Sequence, residues 1–547
     1  MQLQGEPEGS TVRGMAKPIS AKAVLACAWP ALLLASACLL LFLNKPFLVD
    51  DSYFLANAQQ IARHPAHPTD FTICWNLGPD CTKISAWFSN ALIGEVAQGY
   101  VLVPTVLGGA HEWMAHLTQL VFVWIAIVAM ASLVLRFGWD RNHATVGALL
   151  LVAIAPFLPM ASTAMPEPLA TALALVAMER LAAWKAEQKW SQGSAATLAL
   201  GLAGFARPHL VLLLPLAAFY LLDSTDPREW WSQLRRRFWL WTPVLASAAL
   251  MAAIIAITRE HNLALNPPVA TSGLENIRPN LFAYLLYLVF PFPLGLCWIA
   301  NRFKRRKLLA IKIGSFVACL AWFMDDRRVL FLAVIGLVML IDLLYEEWKK
   351  AEHTGIFLIL WMLIPLPIVY YTHLPAKYFL PCMPAVIFLC FRLMEGFSVR
   401  TLRVAATGFI VASTCYCLVI LHADADLANY GRDAMYRLIQ PHVSAGERVW
   451  FGCQFSSYWY APLAGATLTF PGGPQPAPGD LVVVGRDGNN RTLLRFPHRT
   501  FLEDIPQIDS FGRTQGRGAG LYTNRSGYWM WVLGPGPVDD YQLWRID

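Results

Sequence analysis

Two adjacent carboxylates, Asp50 and Asp51, follow closely on an apolar run at residues 24–43, within the segment Phe47-Leu48-Val49-Asp50-Asp51-Ser52-Tyr53-Phe54. A carboxylate pair this close to hydrocarbon is partly desolvated, and mutual repulsion raises one of the two pKa values. That suits a general base, which must take up a proton near neutral pH. The same dipeptide equally suits the start of a helix presenting Tyr53, Ala56 and Gln60 on one face, where the helix dipole favours acidic residues. The residues alone leave both roles open. A third carboxylate, Glu167, stands between Pro166 and Pro168 at the edge of another apolar run. Flanked by prolines, it cannot lie inside a regular helix. With no basic neighbour in sequence, it must meet water, a cation or a substrate.

Two cations stand in comparable places. Arg207, in Phe205-Ala206-Arg207-Pro208, interrupts an apolar hairpin, where it could grip phosphate oxygens in a bidentate way or snorkel to the interface. Lys377 and Tyr378 belong to Pro375-Ala376-Lys377-Tyr378-Phe379-Leu380-Pro381-Cys382-Met383-Pro384. Arg259 and Arg278 bound a loop at 262–280 that contains Pro267, Pro268 and Gly273, the kind of segment in which binding and lid functions concentrate. Asp325-Asp326-Arg327-Arg328 reads as a self-neutralising turn, and His261 and His373 as interfacial residues.

Any such site must be held by a membrane protein. Of 547 residues, 56% are hydrophobic and 14% charged, with a mean hydropathy of +0.45. A soluble chain would carry roughly 25% charged residues, so a polar-surfaced globule is excluded. The apolar runs are continuous rather than alternating, which argues against a β-barrel. Thirteen runs, at 24–43, 114–135, 144–161, 169–184, 195–205, 210–222, 238–257, 281–300, 308–323, 329–345, 355–371, 378–393 and 404–421, predict an all-α polytopic domain of about 11–13 spans, given that each crossing needs ~20 residues. Several runs are short, so those flanking Arg207 and Asp325 read equally as re-entrant. The first run is an uncleaved anchor, because no small-x-small site precedes Lys45.

A cytoplasmic N-terminus places the clusters Arg235-Arg236-Arg237 and Lys304-Arg305-Arg306-Lys307 inside and leaves few basic residues outside, as the positive-inside rule requires. The expected organisation is a cytoplasmic tail (1–22), a membrane domain (23–421) with a long first outside loop (44–113) carrying an amphipathic helix at 84–97, and an extracytoplasmic domain (422–547). That last part has short β-rich runs at 449–453, 481–485 and 528–533 and one helix at 425–440, and reads as α/β or mostly β. The net charge of +7 is met by anionic lipid headgroups, and no nucleic-acid partner is expected. Most of the 11 Cys lie in apolar runs; Cys74 and Cys81, close together in the first outside loop, form a candidate disulfide. Two Asn-x-Ser/Thr triplets, at Asn490 and Asn524, receive no function.

The layout as a whole, with the acidic pair after span one, a long first loop, the acidic residue between spans three and four and a terminal outer domain, resembles the GT-C superfold. These are membrane glycosyltransferases that use polyprenyl-phosphate sugars, among them the protein O-mannosyltransferases, the lipid A aminoarabinose transferases and the bacterial lipopolysaccharide sugar transferases. The resemblance covers the membrane region and is carried by few residues. It implies that Asp50 is the catalytic base and that Asp51, where Glu is usual, and Glu167, where Asp is usual, share the catalytic site. Lys377 stands where the family's basic-Tyr-x-x-Pro-x-x-Pro junction usually has Arg, which makes it a phosphate ligand beside Tyr378. Arg207, Arg259, Arg278 and Tyr53 complete the expected substrate-binding set, and the 262–280 loop corresponds to one that closes over the donor. The implied reaction inverts the sugar while moving it from a lipid phosphate to a hydroxyl of a cell-envelope acceptor, at the outer face of the inner (plasma) membrane. Cofactor use is left open; a divalent metal ion, if used, would fall to Asp51 and Glu167. The rival readings are a polysaccharide polymerase or ligase, which relies on Arg and His of a large late loop, and a transporter, which predicts mid-span charges and an internal repeat.

Overall fold

The computed structural model describes residues 19–73, 82–83, 95–258, 273–290, 293–304, 327–350, 352–452, 456–470, 472–485, 493, 495–506, 511–516, 518–534 and 540–547. They form a helical membrane domain joined to a small C-terminal α/β domain. In chain order the helices are α1 (Ala21–Leu39), α2 (Asp51–Arg63), α3 (Ala97–Leu107), α4 (Glu112–Arg136), α5 (Arg141–Ala153), α6 (Phe157–Ala161), α7 (Glu167–Glu187), α8 (Trp190–Ala206), α9 (Leu213–Leu221), α10 (Pro227–Arg236), α11 (Thr242–Thr258), α12 (Leu274–Val289), α13 (Leu294–Lys304), α14 (Arg327–Lys350), α15 (His353–Met362), α16 (Met383–Leu393), α17 (Val399–Ser444) and α18 (Ser456–Leu463).

Among the described residues seven helices are long and apolar enough to cross a membrane, and eight if α12 and α13 count as one span. The seven are α1, α4, α11, α14, α15, α16 and α17, some extended by 3₁₀ turns. The chain is a multi-pass membrane protein. Other predicted spans fold differently, for reasons written in the sequence. The 144–161 run breaks after Ala153, because Pro156 cannot donate the next helical hydrogen bond and drives the residue before it out of the α region. The run at 169–184 is a 21-residue helix, α7, that carries Glu179, Arg180 and Lys185. Helix α8 has 17 residues and stops at Arg207, about 25 Å at 1.5 Å per residue and short of a ~30 Å hydrocarbon core.

Three predicted features lie wholly or mostly outside the described residues: the span at 308–323, the amphipathic helix at 84–97 and the Asp325-Asp326 turn. The same holds for Cys74, Cys81, Arg259, His261 and Asn490. In the first loop the described segments include α2, α3 and a two-strand pairing of β1 (Thr72–Ile73) with β2 (Thr82–Lys83).

The last predicted span and the helix expected at 425–440 are one continuous helix. Helix α17 has 46 residues, about 69 Å at 1.5 Å per residue, so it leaves the membrane and runs on into the terminal domain. The expected boundary at 421/422 therefore falls in mid-helix. Its buried positions, Ser413, Cys417, Ile420, Asp424, Leu427, Gly431, Ala434 and Leu438, recur every three or four residues and lie on a single face.

Beyond α17 a five-stranded mixed sheet has the order β4 (Thr467–Leu468), β3 (Val449–Phe451), β5 (Leu481–Gly485), β9 (Tyr541–Ile546), β6 (Arg499–Ile505). Strands β4, β3 and β5 are parallel, and β9 is antiparallel to both neighbours. Every residue of β5 is buried, as expected of a central strand covered on both faces. Leu481 and Val483 join the core that includes α17, whereas Val482 and Val484 pack with Phe496 and Ile546 on the other face. The predicted strand at 528–533 contributes an isolated bridge from Trp529 to Ala519 and the short β8 (Val532–Leu533), which pairs with β7 (Gly512–Arg513) outside this sheet.

Candidate active site

After α1 the chain turns through Phe47, Leu48 and Val49, all buried. Val49 has φ +49°, a left-handed conformation that costs a β-branched residue of order 1–3 kcal/mol. Hydrogen bonds on both sides hold it there. The Phe47 N–H donates to the Tyr460 hydroxyl (2.8 Å) and the Leu48 N–H to Asp51 Oδ2 (2.9 Å). This turn separates the two carboxylates into different environments.

Asp51, in the first turn of α2, is fully buried. Its Oδ1 accepts the Ala164 N–H (2.7 Å) from the turn before α7. Burial pushes its carboxyl up to about 7, against the opposing effects of the Lys45 charge and the two N–H donors. Asp50 makes no capping bond to α2. Its side chain is 35% exposed and lies 3.4 Å from Lys377 Nζ.

Glu167 is the first residue of α7 and only 1% exposed. It is salt-bridged to Arg207, a partner 40 residues away in sequence. Arg207, at the C-terminal end of α8, also reaches Glu95 through Nη1 (2.7 Å) and stacks 4.8 Å from the Tyr378 ring centroid. It does not snorkel: its side chain is 6% exposed and held between two carboxylates. Burial, opposed by Arg207, raises the Glu95 carboxyl. Burial together with the charge of Glu95 raises the Tyr53 phenol well above its usual range. The Tyr53 ring packs on Phe54 and Phe71.

Lys377 is 1% exposed, in a 3₁₀ segment (Ala376–Cys382) shaped by Pro381. It reaches Met165 Sδ at 3.3 Å, and its carboxylate contacts are long, 3.4 Å to Asp50 and 3.9 Å to Glu167. A tight ammonium–carboxylate bond measures about 2.7–2.9 Å, so Lys377 sits among acceptors without being closed onto one. Tyr378 donates or accepts at His373 Nε2 (3.3 Å). The His373 ring is pushed down to about 3 by burial and then by the nearby Lys377, Arg525 and Arg207 charges.

The C-terminal domain reaches into this cluster. The Tyr522 ring lies 5.4 Å from Lys377 Nζ, and its hydroxyl donates to Asp424 (2.7 Å). Asp424 also accepts from Thr514 (2.9 Å) and pairs with Lys45, which donates to the Ser162 carbonyl (3.1 Å). Asn524 is buried, accepting the Leu374 N–H and donating to Asn280, so this Asn-x-Ser triplet is internal rather than displayed.

Asp50, Asp51, Glu167, Arg207, Lys377, Tyr378 and Tyr53 therefore gather at one end of the bundle. Arg278 differs from expectation: it lies exposed within α12, so the loop expected at 262–280 is helical from Leu274 onward. Glu95, Lys45, Asp424 and Tyr522 were not singled out by sequence, since each matters through partners far along the chain. Asp51 and Glu167 do not fit a divalent ion. Both oxygens of the first accept backbone N–H groups, and Oε1 of the second is paired with the Arg207 guanidinium, whose charge repels a second cation. Among the described residues no three His, Cys, Asp or Glu side chains group as a metal site.

No protein-family model matches the chain, and no curated protein matches it. Two kinds of solved structure align over most of its length. ArnT from Cupriavidus metallidurans bound to undecaprenyl phosphate is 16% identical, with 90% of this chain and 97% of that one covered and a TM-score of 0.44. The Archaeoglobus fulgidus oligosaccharyltransferase tethered with an acceptor peptide is 11% identical, with 81% and 63% covered and a TM-score of 0.44.

Proposed function

We propose that this protein is an inverting GT-C type glycosyltransferase. It transfers a sugar from a polyprenyl-phosphate donor to a hydroxyl of a cell-envelope acceptor on the outer face of the inner membrane. In this reading the N-terminus is cytoplasmic and the C-terminal domain extracytoplasmic. The observation that carries the proposal is the pair Asp50 and Lys377: a solvent-reachable carboxylate with no capping duty, 3.4 Å from a buried ammonium that no single carboxylate has captured.

The acceptor oxygen attacks the anomeric carbon from the face opposite the phosphate while Asp50 takes its proton. The bond from the anomeric carbon to the phosphate oxygen breaks, and the electron pair leaves with the phosphate, which Lys377 neutralises. General-base assistance of this kind supplies roughly 10²–10⁴-fold, and a preorganised cation at the leaving group adds to it. Tyr378 and Tyr522 wall the ammonium, so that it meets the phosphate at low dielectric, where charge pairing is stronger.

Asp51 holds the Asp50 turn through the Leu48 and Ala164 amides. Arg207 acts as a strut between Glu95 and Glu167 rather than as the principal phosphate ligand, because its guanidinium is already paired twice. Glu167 Oε2 has no hydrogen-bond partner among the described residues, and a buried acceptor of this kind suits a substrate hydroxyl.

The experiment is mass spectrometry of surface glycans from cells lacking the protein, complemented with wild type or with Asp50→Asn at matched expression. Loss of one sugar, restored by wild type alone, supports the reading. Unchanged glycans, or full restoration by Asp50→Asn, overturns it in favour of transport without covalent change.

A further inference from the structure

A groove of about 1260 Å³ lies between α1 and α4, away from the carboxylate cluster, and its lining extends onto α7 and α8. Its walls are apolar and open: Leu25, Trp29 and Leu33 of α1 are 52%, 58% and 62% exposed, and Trp124 and Ile125 of α4 are 38% and 39% exposed. The Trp124 indole N–H donates to Ser36 Oγ (3.0 Å), so this ring's polar group is satisfied within the wall. Clefts for drug-sized ligands run about 300–1,000 Å³; this one is larger and elongated along two helices.

One end of the groove is charged. Arg136 bridges Glu179 (2.6 Å) and Glu187 (3.0 Å), and Lys189 also pairs with Glu187 (3.0 Å). Arg180 pairs with Glu179 and reaches Gln192 (2.6 Å) through Nη1. Glu167 and Glu187 stand at opposite ends of α7, about 30 Å apart at 1.5 Å per residue. That is roughly the ~30 Å thickness of a bilayer's hydrocarbon core, so this rim lies far along α7 from the carboxylate cluster.

The rim holds three cations, Arg136, Arg180 and Lys189, against two carboxylates, Glu179 and Glu187, leaving one positive charge uncompensated. Arg136 is sequestered at 7% exposure, whereas Arg180 and Lys189 present 32% and 62% of their side chains. A headgroup ammonium would have to compete for Glu187, which already has two cationic partners, or for Glu179, which takes Arg136, Arg180 and the Ser132 hydroxyl. A phosphodiester finds donors instead, since among the described residues two of the five N–H groups of Arg180 are used, by Glu179 and Gln192.

We propose that this groove is a specific site for one anionic glycerophospholipid. Its phosphate lies on Arg180 and Lys189, and its acyl chains run between Trp29 and Trp124. The site is independent of the glycosyltransferase reading, because it shares no residue with the carboxylate cluster.

The test is native mass spectrometry of the full-length protein titrated with phosphatidylglycerol or phosphatidylcholine. The wild type should retain one phosphatidylglycerol at least tenfold more strongly than phosphatidylcholine. Arg180→Ala/Lys189→Ala should lose that preference. Leu33→Trp, which fills the groove from a lipid-facing position and touches no ion pair, should lower retention about tenfold. Arg235→Ala/Arg236→Ala, on the separate basic helix α10, should leave it unchanged. Equal retention of the two lipids overturns the proposal. So does loss in the charge variant with full retention in Leu33→Trp, which would reveal surface attraction without a groove. Should the charge variant unfold, Leu33→Trp decides alone.

Discussion

Lys45 and Asp424, 379 residues apart in sequence, meet in an ion pair with neither side chain exposed to solvent. The pair gathers four segments: the turn after α1, the Ser162 carbonyl before α7, the extramembrane part of α17, and Thr514 and Tyr522 of the terminal domain. Asp50 and Asp51 lie a few residues beyond Lys45, and the Tyr522 ring covers Lys377. The terminal domain is thereby coupled to the carboxylate cluster through buried charge rather than through a loose linker.

Lys45→Met should destabilise the protein by about 3–5 kcal/mol, the usual cost of leaving one member of a buried pair uncompensated. Among the described residues Asp424 would keep the Thr514 and Tyr522 hydroxyls as donors. The double variant Lys45→Met/Asp424→Leu should recover part of that loss, because it removes the orphaned charge. Thermal unfolding in detergent measures both; a single variant as stable as wild type would show that the pair does not hold these segments together.

Asp50→Asn should lower transfer by roughly 10²–10⁴, the range general-base assistance supplies, with no change in Tm. The absence of a capping bond and the partial exposure of the side chain leave it little to do for the fold. A loss of Tm equal to that of the buried-pair variant would turn Asp50 into a structural residue.

Asp51 carries the opposite prediction. Its carboxyl is raised to about 7 in the folded protein from the usual 3.8, so the native state binds this proton more tightly than the unfolded chain. Its contribution to stability is therefore fully present below about 3.8, and it is lost as pH rises through about 7. Between pH 8 and pH 5 the wild type should gain a component of stability that Asp51→Asn lacks. Unfolding curves of both proteins across that range measure it, and parallel pH dependences would refute the assignment.

The residues that were legible in sequence are those whose chemistry shows in their immediate neighbours. Asp50-Asp51 after an apolar run, Glu167 between two prolines and Lys377 before Tyr378 all converge in space. What sequence could not supply was the partner of each charge. Glu167 had no basic neighbour and found Arg207; Arg207 could have been a phosphate ligand and is bound between Glu95 and Glu167. Glu95 itself stood in no recognisable pattern. Seven of the spans were legible by hydropathy, whereas Pro156 broke the run at 144–161 and the run at 195–205 ended early at Arg207-Pro208. The α17 helix was split in two because its composition changes at the membrane surface although its backbone does not.

Lys377 and Arg207 are both buried cations beside Glu167, yet their removal should have different consequences. Arg207→Ala leaves Glu95 and Glu167 without their guanidinium, so a loss of about 3–5 kcal/mol in stability is expected, and activity falls with the fold. Lys377→Met leaves Glu167 paired with Arg207 and Asp50 partly in water. Its Tm should change little, while transfer falls at least tenfold and the donor KM rises. Lys377→Arg should restore part of the activity, since the charge returns in a bulkier, planar form. Melting curves and donor kinetics on the three variants separate the two roles. A Lys377→Met protein that melts as early as Arg207→Ala would make Lys377 another strut and leave the leaving phosphate without its cation.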